Sequence, residues 1–199
     1  MNIQKKKEKI KKILSTKKVG IAGSGGLGSN IAISLARSGI LYFTLVDFDR
    51  VEKSNLNRQY FFLDQIGKEK VTALEENIHQ INPDVTCTLV HHKLEKDSMW
   101  EPFKNVDVVV EALDQAETKT QFIEEIMTHL PSTPIVAASG VAGIGHSDRI
   151  TTKQIGNLNL VYDEHALSSD EDVLLAPKVC LMANWQANIV LELLTGEIQ

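Results

Sequence analysis

Cysteine is scarce in this chain. Cys87 and Cys180 are the only two in 199 residues and form no C-x-x-C pair, which excludes a zinc ribbon and a dithiol motif. Both are read as reduced, partly buried thiols, and no zinc is expected. Of the six histidines only His91 and His92 are neighbours, a poor spacing for sharing one metal ion. No apolar run approaches the about 20 residues that span a bilayer, and the lysine-rich beginning lacks the apolar centre of a secretory signal. A cytoplasmic protein with no membrane partner is the expectation. Positive charge is also in short supply: the net charge is −5 with a pI near 5.7, which argues against general nucleic-acid binding. Internal repeats and long low-complexity linkers are missing, so one domain accounts for the chain.

What is present is distributed unevenly. Residues 1–18 hold eight lysines and one glutamate, leaving −12 for the remainder. Ile3, Ile10, Ile13 and Leu14 could form a narrow apolar stripe beneath those lysines, so residues 1–18 read as a helical arm with a solvated face. Residues 19–199 read as a nucleotide-binding domain, and 43% hydrophobic residues supply it with a core.

From Val19 onward, apolar strand runs alternate with helical segments, the pattern of an α/β fold: Rossmann-like, mostly parallel, with helices on both faces. Strands are expected at Val19–Ala22, Leu41–Val46, Val85–Val90, Val106–Val110 and Ile135–Ala138, in the sheet order 3-2-1-4-5. Helices follow the first strand to about Ser38, start near Gly67, and run from about Ala116 to Leu130. After Ser139 the sequence turns glycine-rich and polar. Two or three short antiparallel strands, an acidic loop over 163–172 and a last helix from about Ala176 to Leu194 are expected there.

The chemistry begins at the first turn. Gly23, Gly25 and Gly28 satisfy G-x-G-x-x-G and Gly26 adds another small position, so a strand, an open turn and a helix N-terminus combine into an anion site. Asp47 ends the second strand 19 positions after Gly28, where a carboxylate can accept hydrogen bonds from ribose hydroxyls. These features imply an adenine nucleotide and leave NAD and ATP both open. The polar stretch that follows favours ATP: Arg58 offers a planar fork and Lys70 a compact charge for phosphate oxygens, with Asn55 and Gln59 beside them. Asp114, just past the fourth strand, is a carboxylate able to hold Mg²⁺ beside a triphosphate.

The stretches GSGGLGSNIA, VDFDRVEKSNLNRQ, GKEKV and EALDQ resemble successive motifs of the ThiF/MoeB superfamily, the ubiquitin-activating-enzyme-like adenylyltransferases. The likeness runs from about Val19 to Gly196, and its last part, PIVAASGVAGIG, LLAPKV and ANWQANIVLELLTG, resembles the short zinc-free ThiF-like branch of thiamine biosynthesis. The resemblance implies that ATP adenylylates the terminal glycine of a small ubiquitin-like sulfur carrier ending in Gly-Gly, with no enzyme nucleophile. Asp47 would bind the ribose; Gly23, Gly25, Gly26 and Gly28 would line the nucleotide pocket. Asn55, Arg58, Gln59 and Lys70 would form the phosphate site, and Asp114 would be the magnesium carboxylate. Arg58, Lys70 and Asp114 would carry catalysis, and the protein would be a homodimer. The acidic loop Ser168–Asp172 would pass over the carrier tail, although its composition equally suits a solvated loop. Longer relatives reach the partner's ATP with an arginine in the N-terminal arm, but the first arginine here is Arg37. Lys11 or Lys12 would have to take its place without the bidentate fork. Two rival readings remain at this stage, an NAD-dependent oxidoreductase and a nucleotide-binding adaptor without turnover.

Overall fold

A computed structural model describes residues 2–167 and 171–196. Its centre is a seven-stranded sheet of β1 (Lys18–Ala22), β2 (Tyr42–Val46), β3 (Thr86–Val90), β4 (Val108–Glu111), β5 (Ile135–Ser139), β6 (Thr151–Ile155) and β7 (Leu158–Tyr162). The strand order is β3-β2-β1-β4-β5-β7-β6. The first five strands are parallel and stand in the order their spacing predicts. The two later strands pair antiparallel with each other, but β7 runs parallel to β5, leaving β6 as the strand of opposite direction at the edge.

Side-chain alternation explains why both faces are covered. Val19 and Ile21 of β1 and Val108 and Val110 of β4 point into one core, while Ala22 and Val109 point into the other. The first core is closed by α2 (Gly26–Ser38), α3 (Lys70–His79) and α5 (Ala176–Thr195); the second is closed by α4 (Ala116–His129) and a short turn, Glu101–Phe103, that contributes Phe103. Within α5, Val179, Met182, Ala183, Gln186 and Val190 are buried at the three- and four-residue spacing of one helix face.

The arm folds as α1 (Ile3–Leu14), capped by the Asn2 side chain, which accepts the Gln4 N–H at 2.7 Å. Leu14 is buried and Ile10 packs against the same core, whereas Ile3 is 73% exposed, so the apolar stripe is used only in its second half. The start of α3 also differs from the spacing-based expectation of Gly67. Residues 67–69 run back along the β2–α3 loop instead: Gly67 N–H donates to Val51 O and Val51 N–H donates to Lys68 O, both 2.8 Å. The helix therefore begins at Lys70.

One buried ion pair ties the last third of the chain together. Lys178, in the first turn of α5, donates to Asp163 Oδ2 at 2.9 Å and to the Ala142 carbonyl at 2.8 Å. Burial pushes the Asp163 carboxyl up, but the Lys178 and His165 hydrogen bonds and the charges of Lys178 and Arg149 outweigh it and leave it below its ordinary value. A depressed folded value means stability that is present above the unfolded carboxylate pKa and lost as pH falls through the folded one. Lys178→Met should therefore cost about 3 kcal/mol at neutral pH, because Asp163 is left buried and unpaired. The difference from the unaltered protein should shrink in strong acid, below the depressed folded value; a denaturant titration at pH 7 and at about pH 2 reads both.

Candidate active site

The C-terminal ends of β1, β2 and β4 meet at one point, and the glycine turn lies over it. Gly23 keeps the chain tied to β2 through its N–H to Val46 O at 2.8 Å, adopts φ +93°, and leaves room for β4: a Cβ there would sit 2.5 Å from the Ala112 carbonyl oxygen. A Cβ on Gly28 would collide with the Gly23 carbonyl oxygen, so this glycine permits the turn to close on the helix. Gly26 is crowded by Val179, 3.1 Å from its would-be Cβ, with the Arg58 stem at 3.7 Å. Gly25 is different. Its would-be Cβ has only Gln59 Nε2 nearby, at 3.7 Å, and as N-cap of α2 it offers no capping side chain. The first N–H groups of α2 are consequently available to an anion.

Polar atoms around the turn await partners. Ser24 Oγ and Gln59 Oε1 are buried and accept or donate no hydrogen bond within the described residues. The loop that follows β2 is brought to the turn by α2 itself. Asn30 donates to both Gly26 O, at 2.7 Å, and Arg58 O, at 3.0 Å, while the Ser29 hydroxyl donates to Gly25 O at 2.6 Å and accepts Tyr60 N–H at 3.0 Å.

Asp47 stands beneath the turn. Its Oδ2 accepts Ser24 N–H at 2.6 Å and its Oδ1 accepts Asp49 N–H at 2.8 Å, leaving each oxygen a further lone pair for a ligand hydroxyl. Burial pushes its carboxyl above the ordinary value, against the opposing charge of Lys70 and the two backbone bonds. Lys70 is buried and places its ammonium 2.7 Å from Asp49 Oδ2, and among the described residues its other two donors have no partner. Arg58 is half-buried; its Nη1 donates to Asn57 Oδ1 at 2.8 Å and to Ser54 O at 3.2 Å. Asn55 is turned to a local task, since its Oδ1 accepts Glu52 N–H at 3.0 Å and closes the turn ahead of it.

Asp114 is exposed between β4 and α4 and makes no hydrogen bond or ion pair among the described residues. It follows β4, on a different element from Arg58 and Lys70, and no hydrogen bond among the described residues joins it to either. No cluster of three or more His, Cys, Asp or Glu side chains among the described residues could hold a metal ion. A lone free carboxylate suits Mg²⁺ delivered on a nucleotide, because that ion keeps most of its shell as water and phosphate oxygen.

The thiols lie elsewhere in both character and place. Burial pushes the Cys87 thiol, on β3, up to about 12, with Glu75 adding to it, and burial also raises that of Cys180, on α5. Neither has the electropositive surroundings that make a nucleophile. Of the acidic stretch Ser168–Asp172, residues 168–170 lie outside the described residues; Asp172 Oδ1 accepts Val173 N–H at 2.7 Å.

Glu111, Lys119, Asn57 and Asn30 were not marked out by the sequence pattern. For Glu111 a signal existed, an acidic residue closing the apolar run VVVE; Asn30 and Asn57 lie within the GSGGLGSNIA and VDFDRVEKSNLNRQ stretches, and for Lys119 nothing in the spacing distinguishes it from ordinary polar surface.

Comparison with known proteins adds relatives to this geometry. The model of the ThiF family matches residues 1–199. The molybdopterin-synthase adenylyltransferase of Haemophilus influenzae is 29% identical, over 87% of this chain and 73% of its own length. The sulfur carrier protein ThiS adenylyltransferase of Escherichia coli is 34% identical, over 61% of this chain and 48% of its own. Among solved structures, the E. coli tRNA N6-threonylcarbamoyladenosine dehydratase TcdA in complex with ATP superposes with a TM-score of 0.84 at 23% identity, covering 94% of this chain and 89% of the other.

Proposed function

Because the chain belongs to the ThiF family, we propose that it uses Mg-ATP to adenylylate the C-terminal glycine of a small ubiquitin-like sulfur carrier, and that the carrier is ThiS-like and serves thiamine biosynthesis. The observation that carries this reading is the open glycine turn at the strand ends. Its helix start is uncapped, Asp47 accepts Ser24 N–H beneath it, the Arg58 stem lies against Gly26, and the Lys70 charge acts on the Asp47 carboxyl. A nicotinamide cofactor would account for the turn and Asp47 but would leave Arg58, Lys70 and Asp114 without a task.

The reaction this supports is an in-line displacement. A carboxylate oxygen of the terminal glycine bonds to the α-phosphorus, the bond from that phosphorus to the bridging oxygen breaks, and the electron pair leaves with pyrophosphate. The free N–H groups of Gly26 and its neighbours and the cations of Arg58 and Lys70 stabilise the charge gathering on the phosphate oxygens. Asp47 orients the nucleoside through the ribose, and Gly25 leaves the space through which the phosphates pass. Asp114 would hold Mg²⁺, which supplies charge neutralisation of the triphosphate when bound. Relatives named for such carriers, including the E. coli ThiS adenylyltransferase, support this kind of partner. Pairing into a homodimer is part of the same proposal and is read by sedimentation.

The test is pyrophosphate exchange. Purified protein with Mg-ATP and a panel of carriers ending in Gly-Gly, ThiS-like and molybdopterin-type, should exchange labelled pyrophosphate into ATP and give a carrier–AMP adduct by intact mass. Preference for the ThiS-like carrier supports the thiamine role, and preference for another carrier replaces it. ATP binding with neither exchange nor adduct would falsify the enzyme reading and leave the adaptor.

A further inference from the structure

β4 ends in a closed ring of hydrogen bonds around one residue. Glu111 Oε1 accepts the Leu113 N–H at 2.7 Å and the Lys119 ammonium at 2.8 Å, and that ammonium also donates to the Leu113 carbonyl at 2.8 Å. Both peptide groups that flank Leu113 are thus held by one carboxylate oxygen and one amine. The residue that follows is Asp114. The strand end is gripped from other sides as well: Ala112 N–H bonds Ala22 O at 2.9 Å, and the Gln186 amide donates to Glu111 O at 3.2 Å.

This arrangement is a poor choice for stability alone. The Glu111 side chain is 0% exposed and that of Lys119 19%, and Glu111 Oε2 is buried with no partner among the described residues. Two desolvated charges with a lone pair unused are commonly no better than an apolar pair of the same volume, which would fasten α4 to the sheet equally well. Apolar side chains cannot, however, hydrogen-bond a residue's N–H and C=O together. Fixing both peptide planes sets where the next Cα lies and the N–Cα axis about which its side chain turns.

We infer that Glu111 and Lys119 are positioning residues that aim the Asp114 carboxylate at the divalent cation of the bound nucleotide, an inference that rests on the reading of Asp114 as that cation's ligand. The pair touches neither nucleotide nor carrier. It acts through the Leu113 backbone, so its influence is confined to the part of nucleotide affinity that depends on the cation.

Calorimetric titration with ATP, in Mg²⁺ and again in EDTA, tests this without any carrier. The neutral variant Glu111→Gln/Lys119→Met should keep its affinity in EDTA and lose about tenfold of the tightening that Mg²⁺ produces, the scale of one charge-assisted contact. Asp114→Asn should lose the same increment, the triple variant no more than either, and Lys119→Arg, which restores the ring, should regain it. Thermal melting verifies folding; should the double variant not melt cooperatively, Lys119→Gln with Glu111 intact is read in the same way. If Asp114→Asn loses the increment and the clamp variants keep it, the inference is overturned and the reading of Asp114 stands. If Asp114→Asn keeps it, or the unaltered protein does not bind ATP, that reading fails and the inference falls with it.

Discussion

Arg58→Ala is expected to slow carrier-dependent pyrophosphate exchange by about 10²–10³-fold, the effect of removing one preorganised donor from a developing negative charge. Melting temperature should change little, since Arg58 is only half-buried and, among the described residues, its guanidinium bonds only the neighbouring Asn57 and Ser54. Lys70→Met is expected to lose activity on the same scale but with a different pH profile. Lys70 provides the largest influence opposing the burial that raises the Asp47 carboxyl. Without it that carboxyl moves higher still. The protonated form no longer offers the same acceptors to Ser24 N–H and to a ribose, so ATP affinity should fall off on the acid side at a higher pH in Lys70→Met than in Arg58→Ala or the unaltered protein. Superimposable acid limbs in the three proteins would show that Lys70 does not govern Asp47.

Gly28→Ala is expected to abolish nucleotide binding more completely than any change to a charged residue. The added methyl meets the backbone oxygen of Gly23, which cannot rotate away as a side chain can. Gly23 is itself fixed, by its bond to Val46 O and by the Ala112 carbonyl against it, so the helix start has to move. Displacement of backbone in a packed region costs about 1–3 kcal/mol. ATP affinity should drop at least about 100-fold, equivalent to roughly 2.8 kcal/mol. Gly25→Ala is the control. Its methyl has ordinary contact with Gln59 and no backbone clash, so melting should be preserved while ATP binding weakens through occupation of the open space. Retained affinity in Gly28→Ala would place the phosphates elsewhere.

Much of this site was legible because its signals are local. A strand run, glycines at fixed offsets and a helix face are set by neighbours in sequence, so Gly23–Gly28, Asp47 and the order of the first five strands could be read directly. The segment from Arg50 to Glu69 was less legible: an isolated bridge between those two residues holds the chain extended where periodicity alone starts a helix. Asn55 belongs to the NLNRQ block by pattern, yet its oxygen closes the turn from Glu52, a use that only the three-dimensional path reveals.

Sequence alone determined that this protein has a mostly parallel, Rossmann-like sheet, an open turn over its C-terminal edge and a ThiF-type succession of motifs, because those follow from spacing and from steric rules along the chain. The tertiary structure decided which polar groups hold one another. The Lys119 ring on Leu113, the Asn30 bridge to Arg58 and the Lys178–Asp163 pair join residues whose separation in sequence carries no instruction to meet. They meet because burial leaves each polar atom only the partners that packing brings within hydrogen-bond reach, and that selection exists only once the cores on both faces of the sheet have closed.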